Sequence, residues 1–278
     1  MQTIKGQILA STEVDAQGEQ RDRQFLEDLA AALPLRMPLH QHHDMGQPTV
    51  GFIENFRVEQ DGEGWALKGD VTFDGPAPAE GGFSFSTTQV VHRAEGQPRF
   101  ALYVPYPFYR DNDLLNALAT NNKDAQVGRW IKKSADALLI SEIALVISTL
   151  NLLVGPLWKK VYDEELHPRL SELVKSARHA LLKGDVSRRL RVDYLQPVHI
   201  DAYRGPVELY FIPSEHADLD IAYGFAVKEA IERGMTIVQG DWDMTHEPIK
   251  RIVFVFEPDA CRYNALQIIY ANGTTRIP

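Results

Sequence analysis

The chain has 278 residues, with 29 Lys and Arg against 38 Asp and Glu and a formal net charge of −9, and is long enough for two domains with cores of their own. The charge is uneven: residues 1–90 carry six basic and fourteen acidic side chains, whereas residues 91–278 carry 23 and 24. An acidic N-terminal portion argues against nucleic-acid binding and favours a basic or neutral peptide as partner; the single cysteine, Cys261, excludes a Cys-based zinc knuckle and an internal disulfide framework.

In chain order, residues 3–12 read as a strand and residues 22–33 as an amphipathic helix, with Phe25, Leu26, Leu29 and Leu33 inward and Pro34 ending it. From residue 49 to 59 the chain alternates, Val50, Phe52, Phe56 and Val58 against Ile53, Asn55, Arg57 and Glu59, as a half-buried strand does. Asp61-Gly62-Glu63-Gly64 supplies a turn, and Trp65, Leu67, Val71 and Phe73 alternate again, so the two runs predict a β-hairpin. A third short strand has Phe83 and Phe85 on one side and Ser84 and Ser86 on the other, and residues 97–104 predict a fourth. Before the hairpin, His40, His42, His43 and Asp44 form a cluster whose imidazoles and carboxylate suit zinc. Adjacent His42 and His43 point to opposite sides of an extended segment, and a full site would need a further ligand such as His92. No metal or other cofactor is expected.

Taken together, these pieces resemble the prohead, or head maturation, serine proteases of tailed phages. The matching pieces are residues 6–12, Val14-Asp15-Ala16-Gln17-Gly18, Pro38-Leu39-His40-Gln41-His42-His43-Asp44, Val50-Gly51-Phe52-Ile53, Gly62-Glu63-Gly64-Trp65 and Gly82-Phe83-Ser84-Phe85-Ser86, which span about residues 3–90. The resemblance rests on their order and spacing. It implies a herpesvirus-assemblin-like barrel in which Ser84 is the nucleophile, His43 the general base, and a capsid or scaffold-like protein the substrate. A serine hydroxyl is too weakly acidic to attack at neutral pH without such a base, and a third group should orient the imidazole. His92, as in the Ser-His-His arrangement of the viral relatives, is the first candidate for that group, followed by Glu54 and Asp70. Ser86 stands where the family has glycine, so either serine could be the nucleophile.

Residues 137–158, ALLISEIALVISTLNLLVGPLW between Lys132-Lys133 and Lys159-Lys160, are apolar on all sides and predict a helix buried in protein or in lipid. Residues 163–182 read as a charged amphipathic helix stopped at Gly184-Asp185. Strands are expected at 189–194, 207–212, 236–238, 252–256 and 265–270, a helix at 219–233 closed by Gly234, and a polar loop of ligand-capable groups at Gly240-Asp241-Trp242-Asp243 with His246 and Glu247. There is no P-loop, Rossmann glycine pattern or internal repeat.

The expected fold class is therefore α+β: a mostly antiparallel, barrel-like β module at 1–108, a helical segment at 109–184 containing the central hydrophobic helix 137–158, and an α+β domain at 185–278. No charged, apolar leader opens the sequence, so a cytoplasmic protein is expected, membrane-associated if 137–158 spans. Two functions follow: a serine endopeptidase acting on a protein or peptide, and a non-catalytic or conditional protease-like sensor anchored through 137–158.

Overall fold

The computed structural model describes residues 1–14, 20–40, 46–75, 85–94, 96–133, 143–150, 152–183, 190–201, 205–214 and 221–278. The mixed α+β chain divides into two compact units. The first comprises Met1–Ser86, Lys132–Ile140 and Ile269–Ile277, and the second Thr87–Ile131 and Ser141–Ile268.

In the first unit, β1 (Gln2–Ser11), β2 (Arg36–Leu39), β3 (Gly51–Asp61) and β4 (Gly64–Phe73) form an antiparallel sheet in the order β1-β4-β3-β2. As described, this sheet is open, with β1 and β2 at its edges. Helix α1 (Arg23–Ala32) begins at Asp22, whose carboxylate accepts the Phe25 N–H at 2.8 Å, a cap for one of the free N–H groups of the first turn. Its Leu26 and Leu29 join Leu9, Leu39, Ile53, Leu67, Val71 and Phe73 in one core. Gly51 has to be glycine: a Cβ there would stand 2.0 Å from the Thr72 carbonyl oxygen. The last residues also belong here, with the Thr49 and Thr275 hydroxyls hydrogen-bonded at 3.1 Å.

One detail departs from the sequence pattern. Strict alternation along β3 would put Ile53 on the opposite face from Phe56 and Val58, yet all three pack into the core. The register with β4 shifts between Glu54 and Arg57, where Asn55 takes φ 56°, so the strand gains one residue and its inward face changes parity.

The second unit is built on a sheet in the order β5-β7-β6-β8-β9-β10-β11-β12. These are β5 (Phe85–His92), β6 (Phe100–Pro105), β7 (Ala125–Lys133), β8 (Ile143–Thr149), β9 (Leu190–Val198), β10 (Val207–Ile212), β11 (Ile249–Glu257) and β12 (Arg262–Tyr270). Three parallel pairs, β6/β7, β8/β9 and β10/β11, are bridged by α2 (Asn112–Asn121), α4 (His167–Leu182) and α5 (Ala226–Thr245) respectively. A short α3 (Trp158–Val161) and a π-helical turn at Tyr162–Leu166 lead into α4, and a second π-helical turn at Ile221–Phe225 leads into α5. Val127, Leu102, Ile147, Tyr194, Phe211 and Phe254 are successive register partners across six strands, and all are fully buried.

Several expectations are corrected. There is no central hydrophobic helix at 137–158: residues 143–149 are the strand β8, in the middle of the sheet, and residues 134–142 lie outside the described residues. A strand buried on both faces, Ile147 on one and Val146 on the other, is as continuously apolar as a buried helix. Beyond it Leu150, Leu152, Val154 and Leu157 are exposed and Trp158 opens α3. Among the described residues no helix is long and apolar enough to cross a membrane. Gly234 does not close its helix and 236–238 is not a strand, because α5 runs on to Thr245. The glycine lets the helix lie close to the sheet, where a Cβ would be 3.0 Å from Leu209. Residues 87–105 do not extend the N-terminal sheet, since β6 pairs with β7 and β8, and the segment expected as a separate helical domain supplies strands and helices to the second unit.

The position of β8 makes a contrast within one apolar run. Ile147→Ala should lower stability by about 2–5 kcal/mol, and Leu157→Ala, 69% exposed, by less than about 0.5 kcal/mol. Urea unfolding of the two variants measures both.

Candidate functional site

The proposed nucleophile Ser84 and base His43, with His42 and Asp44, lie outside the described residues. What is described is the framework on either side of them. Strand β2 delivers the chain to His40, which is half-buried, and β3 takes it back at Gly51. The Leu39 carbonyl accepts the Val50 N–H at 2.9 Å, and Leu39 and Gly51 are register partners, so the strand ends flanking the histidines are held together. On the serine side, Ser84 directly precedes β5, and Ser86 lies within that strand.

Of the three candidates for the orienting group, two are otherwise engaged. Glu54 holds Arg36 across the β2/β3 pair at 2.9 and 3.2 Å, and that guanidinium lies over the Phe52 ring at 3.8 Å. Asp70, on the central strand β4, accepts the Gly6 N–H at 2.9 Å, the Asn55 side-chain amide at 3.2 Å and Arg57 Nη1 at 3.1 Å. The Gly6 N–H, the Asn55 amide and the Arg57 guanidinium favour its charged form, so its carboxyl lies below the usual aspartate range. His92, the first candidate, is half-buried at the end of β5 and belongs to the second unit.

The ligand-capable run at 240–247 is not a loop. It forms the last turns of α5 and its cap, His246, whose ring packs edge-on against Trp242 at 5.8 Å. Asp241 is buried and accepts the Thr245 hydroxyl at 3.2 Å, and Asp243 accepts the Gln239 amide at 3.3 Å. Among the described residues no group of three or more His, Cys, Asp or Glu could hold a metal ion.

Sequence reasoning passed over a buried polar cluster in the second unit. Asp193, fully buried on β9, accepts Arg191 Nε at 2.9 Å and the Tyr210 hydroxyl at 2.8 Å. Burial, with the Asp193 charge beside it, pushes the Tyr210 phenol well above its ordinary pKa, so it donates and does not ionise. On β10 and β11 next to it, Arg251 reaches Glu208 at 2.8 Å and its guanidinium lies 5.4 Å from the Tyr210 ring. The only sequence signal was an Arg and an Asp two apart in an otherwise apolar strand. Arg191, Asp193, Tyr210, Glu208 and Arg251 are each hydrogen-bonded within this group, as in a structural network.

Compared with family models, with characterised proteins and with solved structures, the chain finds no match.

The Asp70 contacts predict a pH signature. A carboxyl whose folded pKa is depressed stabilises the fold above its unfolded pKa of about 3.9, and that contribution is lost as pH falls through the folded value. Asp70→Asn should therefore unfold at lower urea than wild type at pH 7, with the gap constant down to about pH 5 and closing below about pH 4. Urea midpoints of both proteins across that range check it.

Proposed function

We propose that the first unit is a serine endopeptidase of the prohead-protease type, barrel-like when complete, acting on a capsid or scaffold-like protein in a reducing, cytoplasmic setting. The observation that carries this reading is the pairing of Leu39 with Gly51, the strand ends on either side of the histidine run. That pairing brackets His40, His42, His43 and Asp44, and Gly51 is pressed against the Thr72 carbonyl where no side chain fits. The Asp22-capped helix before it and the hairpin after it stand in the order that the family resemblance implies.

In this mechanism the His43 imidazole takes the Ser84 hydroxyl proton as Oγ attacks the scissile carbonyl carbon. The tetrahedral oxyanion collapses with loss of the amine, which leaves with the proton held on His43, and the acyl-enzyme remains. A water, deprotonated by the same imidazole, attacks the ester and releases the acid. Glu54 is committed to Arg36 and Asp70 to Gly6, Asn55 and Arg57, so neither is free to orient the imidazole. The acidic balance of residues 1–90 favours basic or neutral peptide over acidic peptide or nucleic acid.

Labelling of the full-length protein with a fluorophosphonate tests the proposal. Wild type and Ser86→Ala should label, and Ser84→Ala and His43→Ala should fall to background. Labelling that survives Ser84→Ala and is lost in Ser86→Ala would move the nucleophile by two residues. A folded protein that does not label at all would overturn the enzyme reading and leave a protease-shaped binding module.

A further inference from the structure

Five half-buried arginines are matched to carboxylates: Arg36 to Glu54, Arg57 to Asp70, Arg169 to Asp124, Arg191 to Asp193 and Arg251 to Glu208. That is the ordinary condition of a guanidinium withdrawn from water, since an unpaired charge in a poorly solvated place is costly. Half-buried Arg178 has no carboxylate partner among the described residues, Arg233 meets the Tyr263 carbonyl instead, and Arg129 is a further exception. It is half-buried on β7, its Nε is shielded from solvent with no hydrogen-bond partner, and it makes no hydrogen bond or ion pair with any described residue. Its one recorded contact is with the face of Tyr109, 5.7 Å from the ring centroid. A cation over an aromatic face is still free to donate all its N–H groups in the plane of the guanidinium.

The position in the fold adds a second, independent argument. Arg129, midway along β7, is the register partner of Val104 at the carboxyl end of β6, and the two parallel strands are joined through α2. Ligands of α/β sheets collect outside the carboxyl ends of such strands. Here β6 ends at Pro105 and runs through Tyr106 and the short 3-10 turn Phe108–Arg110 into α2, with Tyr106 and Tyr109 packed edge to face at 5.9 Å. The acidic side chain of this connection is already used. Asp111 caps α2 by accepting the Leu114 N–H at 3.0 Å, and it faces Lys183 at 3.7 Å.

We propose that Arg129, with the Tyr106–Arg110 connection beside it, is an oxyanion subsite of the second unit, taking a carboxylate or phosphate group in the plane of the guanidinium. Such a fork matches either anion with two parallel N–H···O bonds. The subsite is independent of the serine chemistry assigned to the first unit.

The test uses the full chain and two probes, inorganic phosphate and acetate, each titrated at ionic strength held constant with sodium chloride. The Arg129 Nε–Hε signal, identified by its loss in Arg129→Lys, should move saturably, and the melting temperature should climb with the logarithm of anion concentration. A response to phosphate alone assigns a phosphoryl ligand, to acetate alone a carboxylate, and to both a general oxyanion seat. Arg129→Met should melt no lower than wild type in chloride, because an unpaired cation has been removed, and should lose the anion response. No movement of the signal beyond that in chloride, or an anion response that persists in Arg129→Met, would overturn the proposal. The wild-type titration decides the matter even if the methionine variant does not fold.

Discussion

The first unit depends on one carboxylate at the centre of its sheet. Asp70 stands on β4 between two strands that each carry an irregularity, Gly6 of β1 at φ 65° and Asn55 of β3 at φ 56°, and it hydrogen-bonds to both. A β-bulge changes which residues face inward beyond it. On β3 this allows Ile53 before the bulge and Phe56 and Val58 after it to enter the same core. Arg57 closes the arrangement, reaching Asp70, Glu59 and the Asn55 carbonyl from one guanidinium. A residue that sequence reasoning weighed as a catalytic partner thus sets the parity of two strands.

In the second unit the organising element is a row of side chains. From Val127 to Phe254, six strands place one residue each in register on one face, and the aromatic members stack, Tyr194 on Phe211 at 5.8 Å and Phe211 on Phe254 at 5.3 Å. Several polar groups that enter this interior are hydrogen-bonded there. The Tyr194 hydroxyl meets Thr149 at 2.9 Å and Gln196, and burial raises its pKa. The Tyr223 hydroxyl donates to the Val192 carbonyl at 2.7 Å. Around the edge, Arg169 and Asp124 tie α4 to the turn before β7, each holding the other in its charged form. The Arg129 guanidinium, level with the carboxyl end of β6, has no such match for its Nε.

The two functional proposals draw on different kinds of argument. The peptidase reading comes from the order of short motifs and from the paired strand ends on either side of the histidine run, and its chemistry needs only a serine and a base brought together. The oxyanion reading comes from an imbalance of charge and hydrogen bonding at a place where such sheets receive ligands. Neither depends on the other.

Much of the local structure was legible in the residues. The Asp22 cap and the spacing of Leu26 and Leu29 specified α1, the Asp61 to Gly64 turn specified the β3/β4 hairpin, and Val207–Ile212 was readable as a strand from composition alone. These signals are local, carried by turn chemistry and by periods of 3.6 and 2. Three matters were decided only by tertiary structure. A seven-residue stretch inside a mostly apolar run of 22 residues became β8 because strands on both sides of it and packing on both faces buried it, and apolar runs buried all round have no period to read. Helix α5 continued through Gly234 because the sheet beneath it required close approach, which outweighs the modest helix cost of a glycine. The fates of Asp70, Glu54 and Arg129 were set by partners 13 to 64 positions away, or by the lack of one. Sequence pattern determines which segments can form helices and strands; the pairing of distant strands decides which polar side chains are consumed in holding the fold and which are left to act.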